Sequence, residues 1–148
     1  MKAALDTNVL AYAEGLNGAT MKRAALEMLD KLPQDDVALP VQVLGELFQL
    51  LVKKAGRKPA EARTAILGWR NAFALIETSP AVLVAALDLA TKQFAIWDAV
   101  ILSAAAEAEC RLLISEDMQN GFVWKGVTVV NPFANPKDPL LAALENAR

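Results

Sequence analysis

The chain has 148 residues, a formal net charge of −2, and 55% hydrophobic residues. This composition predicts a single compact domain over residues 1–148 and excludes a disordered chain. The chain contains no histidine, which excludes Ser-His-Asp and Cys-His catalysis and most zinc sites, so any catalysis must rest on carboxylates, perhaps together with a metal.

Apolar spacing predicts strands and helices that alternate along the whole chain. In the first half we expect a strand at 3–5, a helix after Asp6, a helix at 20–32, a strand at 37–39 and helices at 41–55 and 59–73. In the second half we expect a strand at 75–77, helices at 80–93 and 96–109, strands at 112–114 and 127–130, and a short helix after Asp138. This order predicts an α/β fold with three layers, α/β/α, around a central parallel sheet of about five short strands.

Nothing in the sequence predicts a membrane or secreted protein. No segment reaches the roughly 18–20 apolar residues of a membrane span, and Asp6 interrupts the N-terminal apolar run too early for a signal-peptide core. The single cysteine, Cys110, has no partner for an internal disulfide and lies among apolar residues. We therefore expect a cytoplasmic protein.

Four acidic residues are placed to meet at one edge of the predicted sheet. Ligands of such sheets bind beyond the carboxyl ends of the strands. Asp6 follows the first strand, and Asp117 follows the strand at 112–114. Glu46 lies in the helix after the strand at 37–39, and Asp98 lies in the first turn of the helix that begins near residue 96.

Each acid has an ordinary explanation when it is taken alone. Asp6 and Asp98 are acids near helix starts, where the helix dipole favours them. Glu46 lies off the apolar stripe of its helix, and Asp117 lies in a turn. Their joint placement is what indicates a site. Two carboxylates about 4 Å apart repel by about 4 kcal/mol at an effective dielectric near 20, so the cluster requires a cation, and oxygen ligands suit Mg²⁺ or Mn²⁺.

Several segments resemble the PIN-domain superfamily, and in particular its VapC-type toxin ribonucleases. The similar segments, in chain order, are Leu5-Asp6-Thr7-Asn8-Val9-Leu10, the helix that carries Glu46, Phe94-Ala95-Ile96-Trp97-Asp98-Ala99, Ile114-Ser115-Glu116-Asp117-Met118-Gln119 and Val129-Val130-Asn131-Pro132-Phe133. The resemblance runs in order over nearly the whole chain.

The resemblance implies an enzyme with a particular chemistry. It implies a divalent-metal endoribonuclease that hydrolyses RNA phosphodiester bonds with metal-activated water, as the toxin of a VapBC-like pair with a cognate antitoxin, and it implies a homodimer. The implied metal ligands and catalytic residues are Asp6, Glu46, Asp98 and Asp117. By matching position, Asn8 would orient the Asp6 carboxylate and Ser115 would support Asp117. Glu116 is either an outer metal ligand or a solvated turn residue.

A basic stretch begins two turns beyond Glu46, and its members with a possible role in RNA binding are Lys53, Lys54, Arg57 and Lys58. They either contact RNA phosphates, which would make binding salt-sensitive, or form a solvated helix–turn–helix surface. Two aromatic residues flank Asp98, Phe94 and Trp97, and they are expected to pack in the core rather than to stack on bases. Trp69 is expected either in the core or at a partner surface.

Two other carboxylate functions do not fit the sequence, whereas two further alternatives remain open. A dehalogenase-type phosphatase would need a second aspartate where Asn8 stands, and a receiver-type signalling domain would need an aspartate after the strand at 75–77, where Thr78 and Ser79 follow. A structure-specific DNase on the same fold would use the same metal chemistry. A catalytically silent PIN-like module that only binds nucleic acid is the alternative from a different class.

Overall fold

Strands and helices alternate in the computed structural model, which describes residues 1–147. The strands of that part of the chain are β1 (Ala3–Leu5), β2 (Val37–Pro40), β3 (Ala74–Ile76), β4 (Leu112–Ile114), β5 (Val123–Trp124) and β6 (Val127–Val130). The helices are α1 (Thr7–Ala13), α2 (Ala19–Lys31), α3 (Val41–Lys53), α4 (Pro59–Ala72), α5 (Pro80–Ala90), α6 (Ile96–Glu107) and α7 (Pro139–Asn146), and a 3₁₀ turn spans Gln34–Asp36.

The strands form one sheet in the order β3-β2-β1-β4-β6-β5. All neighbouring pairs are parallel except β5 and β6, which are antiparallel. The prediction of an α/β fold around a parallel sheet is confirmed, with six strands among the described residues where about five were expected. The missed strand, β5, has only two residues, which is too short to produce a recognisable alternation of apolar and polar residues.

The central strand brings the site together because it lies between the two strands that lead to other site residues. The apolar residues of β1 are fully buried, and β1 pairs with β2 on one side and β4 on the other. Parallel pairing places the carboxyl ends of all three strands at the same edge of the sheet. The loops and helices that follow these strands therefore begin close together.

Helix α6 is buried along most of its length. Every residue from 99 to 105 is buried, in a segment rich in alanine, and α6 packs against α5 and the sheet. Small alanine side chains let a helix approach its neighbours closely on all sides. Only the ends of α6 reach the surface, and its first turn, which includes Asp98, lies at the site described below.

Local sequence signals set the ends of several helices. Ser79 caps α5 by accepting a hydrogen bond from the Val82 N–H, with Pro80 at the first helical position. Gly56, with a φ of 68°, ends the α3 segment in the left-handed conformation that glycine adopts easily.

Within residues 1–147, no helix is both long and apolar enough to cross a membrane.

Candidate active site

The four predicted acids line one cavity of about 330 Å³ beyond the carboxyl ends of the strands. Asp6 follows β1 directly, and Asp117 lies three residues beyond β4. Glu46 comes from the second turn of α3, and Asp98 comes from the first turn of α6. The complete lining consists of Asp6, Thr7, Asn8, Glu46, Gln49, Leu50, Lys53, Lys54, Asp98 and Asp117.

Asp6 lies deepest, with 3% of its surface exposed. One carboxylate oxygen, Oδ1, accepts a hydrogen bond from the Thr7 N–H at 2.7 Å, which makes Asp6 the N-cap of α1. The other, Oδ2, accepts from the Ser115 hydroxyl at 2.7 Å. The Ser115 hydroxyl in turn accepts from the Met118 N–H at 3.2 Å, so the turn that carries Asp117 also fixes the orientation of Asp6.

Neutral donors also hold two of the other acids. The Thr7 hydroxyl donates to Glu46 Oε1 at 2.8 Å, and the Asn8 side-chain amide donates to Asp117 Oδ2. The family resemblance implied that Asn8 orients Asp6 and that Ser115 supports the Asp117 end of the site. The structure pairs them the other way round, because Asp6 faces Ser115 and Asn8 faces Asp117, while Thr7 between them faces Glu46 of α3.

Asp98 is the acid without such a donor. Its side chain is half-buried, and its carboxylate makes no hydrogen bond or salt bridge with residues 1–147. Its carboxylate oxygens are therefore free to bind a ligand that enters the cavity. None of the other three acids forms a salt bridge within the described part of the chain either.

Burial and the charges of neighbouring carboxylates raise the pKa of all four carboxyls. The pKa of Asp6 is raised from 3.8 to about 6, first by burial and then by the charges of Asp98 and Asp117, against the lowering effect of its two hydrogen bonds. The pKa of Glu46 and that of Asp98 are raised by burial first and then by neighbouring carboxylates. The pKa of Asp117 is raised by burial and by Glu116, while Lys54 lowers it. The cavity therefore concentrates negative charge with little cationic compensation.

The donor set fits a hard divalent cation. Every candidate ligand is a carboxylate oxygen, which Mg²⁺ and Mn²⁺ prefer over softer metals, and a cation would relieve the repulsion that raises these pKa values. As the side chains are placed, no three acidic or cysteine residues within 1–147 are close enough to enclose an ion. Sharing one ion would therefore require the carboxylates to move closer together than they stand here.

Glu116 does not line the cavity. It accepts a hydrogen bond from the hydroxyl of Tyr12, a residue of α1. Burial and the neighbouring Glu116 carboxylate raise the pKa of Tyr12 to about 12, so this hydroxyl keeps its proton and remains a donor. The contact ties the 115–117 turn to α1, a role that no sequence pattern indicated.

The basic residues divide into two groups. Lys53 and Lys54 line the cavity beside the acids. Arg57 instead donates to Glu14, from Nη1 to Oε1 and from Nη2 to the backbone carbonyl, both at 2.7 Å. Lys58 is exposed at the N-cap of α4, outside the cavity lining.

Two cavity residues that the sequence analysis missed, Thr7 and Gln49, carry signals that were present in the sequence. Thr7 lies between Asp6 and Asn8 and bonds to Glu46. Gln49 follows Glu46 by three residues, which places both on the same face of α3. Helical spacing from Glu46 would have identified it, and Lys53 continues the same face by a further turn.

Phe94 and Trp97 were both expected to pack in the core, which is confirmed for Phe94 and wrong for Trp97. Phe94 packs against Phe122, with ring centroids 4.8 Å apart. Trp97 is 53% exposed, because it lies in the first turn of α6, where the helix emerges from the core. Trp69 is half-buried, stacks on Phe73 and donates its indole N–H to Glu14.

Comparisons with known proteins agree with this architecture. The family model for the PIN domain matches residues 3–119. Comparison with curated protein sequences finds no match. Among solved structures, the chain is similar to the Mycobacterium tuberculosis toxin VapC20, described as cleaving the sarcin–ricin loop, with a TM-score of 0.67 and 16% identity over 78% of this chain and 90% of that one.

Two further solved structures come from toxin–antitoxin complexes. The likeness to a chain of a Klebsiella pneumoniae complex has a TM-score of 0.66, with 23% identity over 88% of this chain and 98% of that one. The likeness to a chain of VapBC2 from Rickettsia felis, bound to a promoter DNA fragment, has a TM-score of 0.64, with 20% identity over 88% and 98%. At these identities the structures show a shared fold. With the family model matching most of its length, the chain belongs to the PIN domain family.

Proposed function

We propose that this protein is an endoribonuclease that depends on a divalent metal, Mg²⁺ or Mn²⁺, and hydrolyses RNA phosphodiester bonds. The observation that carries the proposal is the convergence of Asp6, Glu46, Asp98 and Asp117 on one cavity without a salt bridge to any of them within residues 1–147. Keeping four mutually repelling carboxylates in one place is unfavourable unless a cation binds there. Membership of the PIN domain family supports the same chemistry.

The four carboxylates would hold the ion, and the neutral donors would set their orientation. A bound Mg²⁺ or Mn²⁺ would lower the pKa of water and stabilise the charge that develops on a phosphate during hydrolysis. Thr7, Asn8 and Ser115 hold Glu46, Asp117 and Asp6 respectively. Partners of this kind, one step removed from a metal, usually affect metal affinity or activity by roughly 10- to 100-fold.

Lys53 and Lys54 are the cations best placed to receive the substrate. Both line the cavity on the α3 side, so a phosphate that enters it would meet positive charge next to the acids. Arg57 is already engaged by Glu14, and Lys58 lies outside the cavity lining. We therefore assign the first phosphate contacts to the two cavity lysines, with Lys58 and Arg57 as more distant contributors to the positive potential.

We further propose that the protein is the toxin of a VapBC-like pair, with a cognate antitoxin as its partner, and that it acts as a cytoplasmic homodimer. Solved structures of similar fold come from toxin–antitoxin complexes, which supports the antitoxin partner. The sarcin–ricin loop, the target named for the similar M. tuberculosis protein, is RNA, which favours RNA over DNA as substrate. Light scattering tests the homodimer, and a monomer at micromolar concentration would contradict it.

The decisive test is cleavage of separate fluorescent single-stranded RNA and DNA substrates in Mn²⁺, Mg²⁺ or EDTA. We expect the wild-type protein to cut RNA only with metal. Asp98→Asn should lower the rate by more than about 100-fold, beyond the usual effect of losing a supporting residue, because Asp98 is the acid whose oxygens are free. Asp88→Asn, at an exposed acid of α5 outside the cavity, is the matched control.

Other outcomes would replace the proposal. Cleavage of DNA alone would indicate a DNase on the same fold. A protein that binds nucleic acid but cuts neither substrate with either metal would be a catalytically silent binding module. Cleavage that survives in EDTA would exclude the carboxylate–metal mechanism.

A further inference from the structure

The three tryptophans of the chain differ in how the fold uses them. The Trp69 indole stacks on Phe73 and donates to Glu14. The ammonium groups of Lys92 and Lys125 lie 5.1 and 5.4 Å from the centroid of the half-buried Trp124 ring. Trp97 is 53% exposed, and its indole makes no hydrogen bond, ring stacking or cation contact with residues 1–147. Its position therefore calls for a different explanation.

The exposure of Trp97 contrasts with the rest of its helix. Residues 99 to 105 of α6 are all buried, yet the largest side chain of the helix lies in its exposed first turn, which also carries Asp98. Full burial of a large apolar side chain typically stabilises a fold by about 1.5–3 kcal/mol, and much of that gain is forgone here. Packing alone does not account for a tryptophan at this position.

Trp97 directly precedes Asp98, which lines the cavity. Adjacent Cα atoms are about 3.8 Å apart, so the exposed Trp97 side chain branches from the backbone next to a cavity residue, although the indole itself is not part of the cavity lining. Lys53 and Lys54, at the end of α3, line the same cavity. Cations in the cavity and an exposed aromatic ring next to one of its acids are the combination by which proteins hold single-stranded nucleic acid.

We propose that Trp97 is a stacking platform for a nucleobase of single-stranded RNA next to the phosphate that enters the carboxylate cavity. The inference rests on the proposed function and names a substrate-binding residue for it. Bases of unpaired RNA are free to stack on aromatic side chains. Stacking tolerates any base because every base has a π-face, so Trp97 would select unpaired strands over duplexes rather than one base over another.

A binding experiment separates base stacking from phosphate contact. The probes are a fluorescently labelled oligoadenylate and an abasic ribose–phosphate oligomer of equal length, with binding followed by anisotropy in Mn²⁺. All proteins in this experiment also carry Asp117→Asn, which is expected to prevent cleavage of the probes. Asp117 lies outside α6, so this change does not alter the helix that carries Trp97. Trp97→Leu should weaken oligoadenylate binding by about 5- to 150-fold, the range of one base–aromatic stack. Trp97→Phe should retain most of the affinity, and neither variant should change binding of the abasic probe.

The cavity lysines provide the matched comparison. Lys53→Ala combined with Lys54→Ala should weaken both probes by the same factor, because both carry the same phosphates. A Trp97→Leu protein that binds oligoadenylate as tightly as the parent would overturn the stacking role. An equal loss on both probes would also overturn it, because the residue would then act on the backbone or the fold.

A protein partner is the competing occupant of this surface. If Trp97→Leu leaves RNA binding unchanged but shifts the oligomeric state in light scattering, the indole belongs to an interface between copies and the proposal fails. The outcome is separable from that of the proposed function. If the Trp97→Leu protein cuts RNA and binds it with unchanged affinity, the stacking role is wrong and the proposed nuclease function stands. If the wild-type protein never cuts RNA but binds it in a way that depends on the bases, the stacking role stands and the proposed nuclease function is wrong.

Discussion

The two ends of helix α1 carry acidic residues in opposite situations. At its start, Asp6 is buried, accepts hydrogen bonds from neutral donors, and has its pKa raised to about 6. At its end, Glu14 forms a salt bridge with Arg57 at 2.7 Å and accepts the Trp69 indole N–H at 2.9 Å. Arg57 also donates to the Glu14 carbonyl at the helix C-terminus, where a cation is favoured by the helix dipole.

The difference separates an acid that holds the fold together from acids that are available for chemistry. The Glu14 cluster joins α1 to α4 and to the turn after α3, with opposite charges in contact. The Asp6 cluster gathers four like charges around a cavity and leaves them without a salt bridge in the described residues. Buried like charges lower stability unless a ligand compensates them, so the second cluster is explained by what it binds. The predictions below test this contrast.

The largest stability effect is expected from removing the charge of Asp6. Asn can still accept from the Thr7 N–H, and the Ser115 hydroxyl can accept from the new amide. In metal-free protein, Asp6→Asn should therefore raise the free energy of unfolding at pH 7.5 by up to about 3 kcal/mol, the equivalent of a pKa raised from 3.8 to about 6. Urea denaturation in EDTA measures it.

The pH dependence of that gain follows from the sign of the shift. The folded-state pKa of Asp6, about 6, exceeds its ordinary value of 3.8, so the folded protein binds the proton more tightly. The contribution of protonated Asp6 to the stability of the wild type is fully present below pH 4 and is lost as the pH rises through 6. The advantage of Asp6→Asn should be absent near pH 4 and reach a plateau above pH 7. A constant advantage, or a loss at pH 7.5, would contradict the contrast between the two ends of α1.

The neutral donors of the cavity are tested at Thr7. Its hydroxyl orients Glu46 from 2.8 Å, so Thr7→Ala should weaken Mn²⁺ binding, measured by calorimetry, by about 10- to 100-fold. Thr7→Ser keeps the hydroxyl and should restore most of the affinity. Thermal unfolding without metal controls for damage to the fold. Equal affinities for the Ala and Ser variants would show that the hydroxyl does not position Glu46.

A smaller effect of opposite sign is expected at the other end of α1. Glu14→Gln keeps an acceptor for the Trp69 N–H but removes the charge that faces Arg57. The paired side chains are 28% and 21% exposed, so we expect a loss of about 1–2 kcal/mol, between the values of surface and buried pairs. Urea denaturation at pH 7.5 measures it beside Asp6→Asn. If both variants shift stability in the same direction, the two clusters do not differ as proposed.

How far the sequence predicts this molecule depends on the range of the interactions involved. The strand at 3–5, the capped start of α5 and the parallel sheet follow from local apolar spacing and capping residues, and the structure agrees with them. The placement of the four acids also follows, because strand ends in a parallel sheet share one edge. The two-residue strand β5 was missed, since its pairing with β6 depends on a neighbour rather than on its own pattern.

The interactions that remained hidden join residues far apart in the chain. Glu14 and Arg57 were not recognised as a pair, although Arg57 was noted as basic, because nothing local links the end of α1 to the turn after α3. The bond between Tyr12 and Glu116 was hidden for the same reason. The exposure of Trp97 was missed because apolar spacing identifies a buried helix but not the turn at which the helix emerges.

The smallest expected effect concerns the two cations that the cavity does contain. Lys53 and Lys54 are beside the acids without a salt bridge to them, whereas Arg57 is committed to Glu14, so only the lysines are free to meet a phosphate. Replacing both with alanine should flatten the slope of log affinity for single-stranded RNA against log salt by about 1.4, since each phosphate contact contributes about 0.7. Lys22→Ala with Lys137→Ala, outside the cavity, removes the same charge and should leave the slope nearly unchanged. If both double variants flatten the slope equally, net charge rather than position governs RNA binding, and the cavity lysines have no special role.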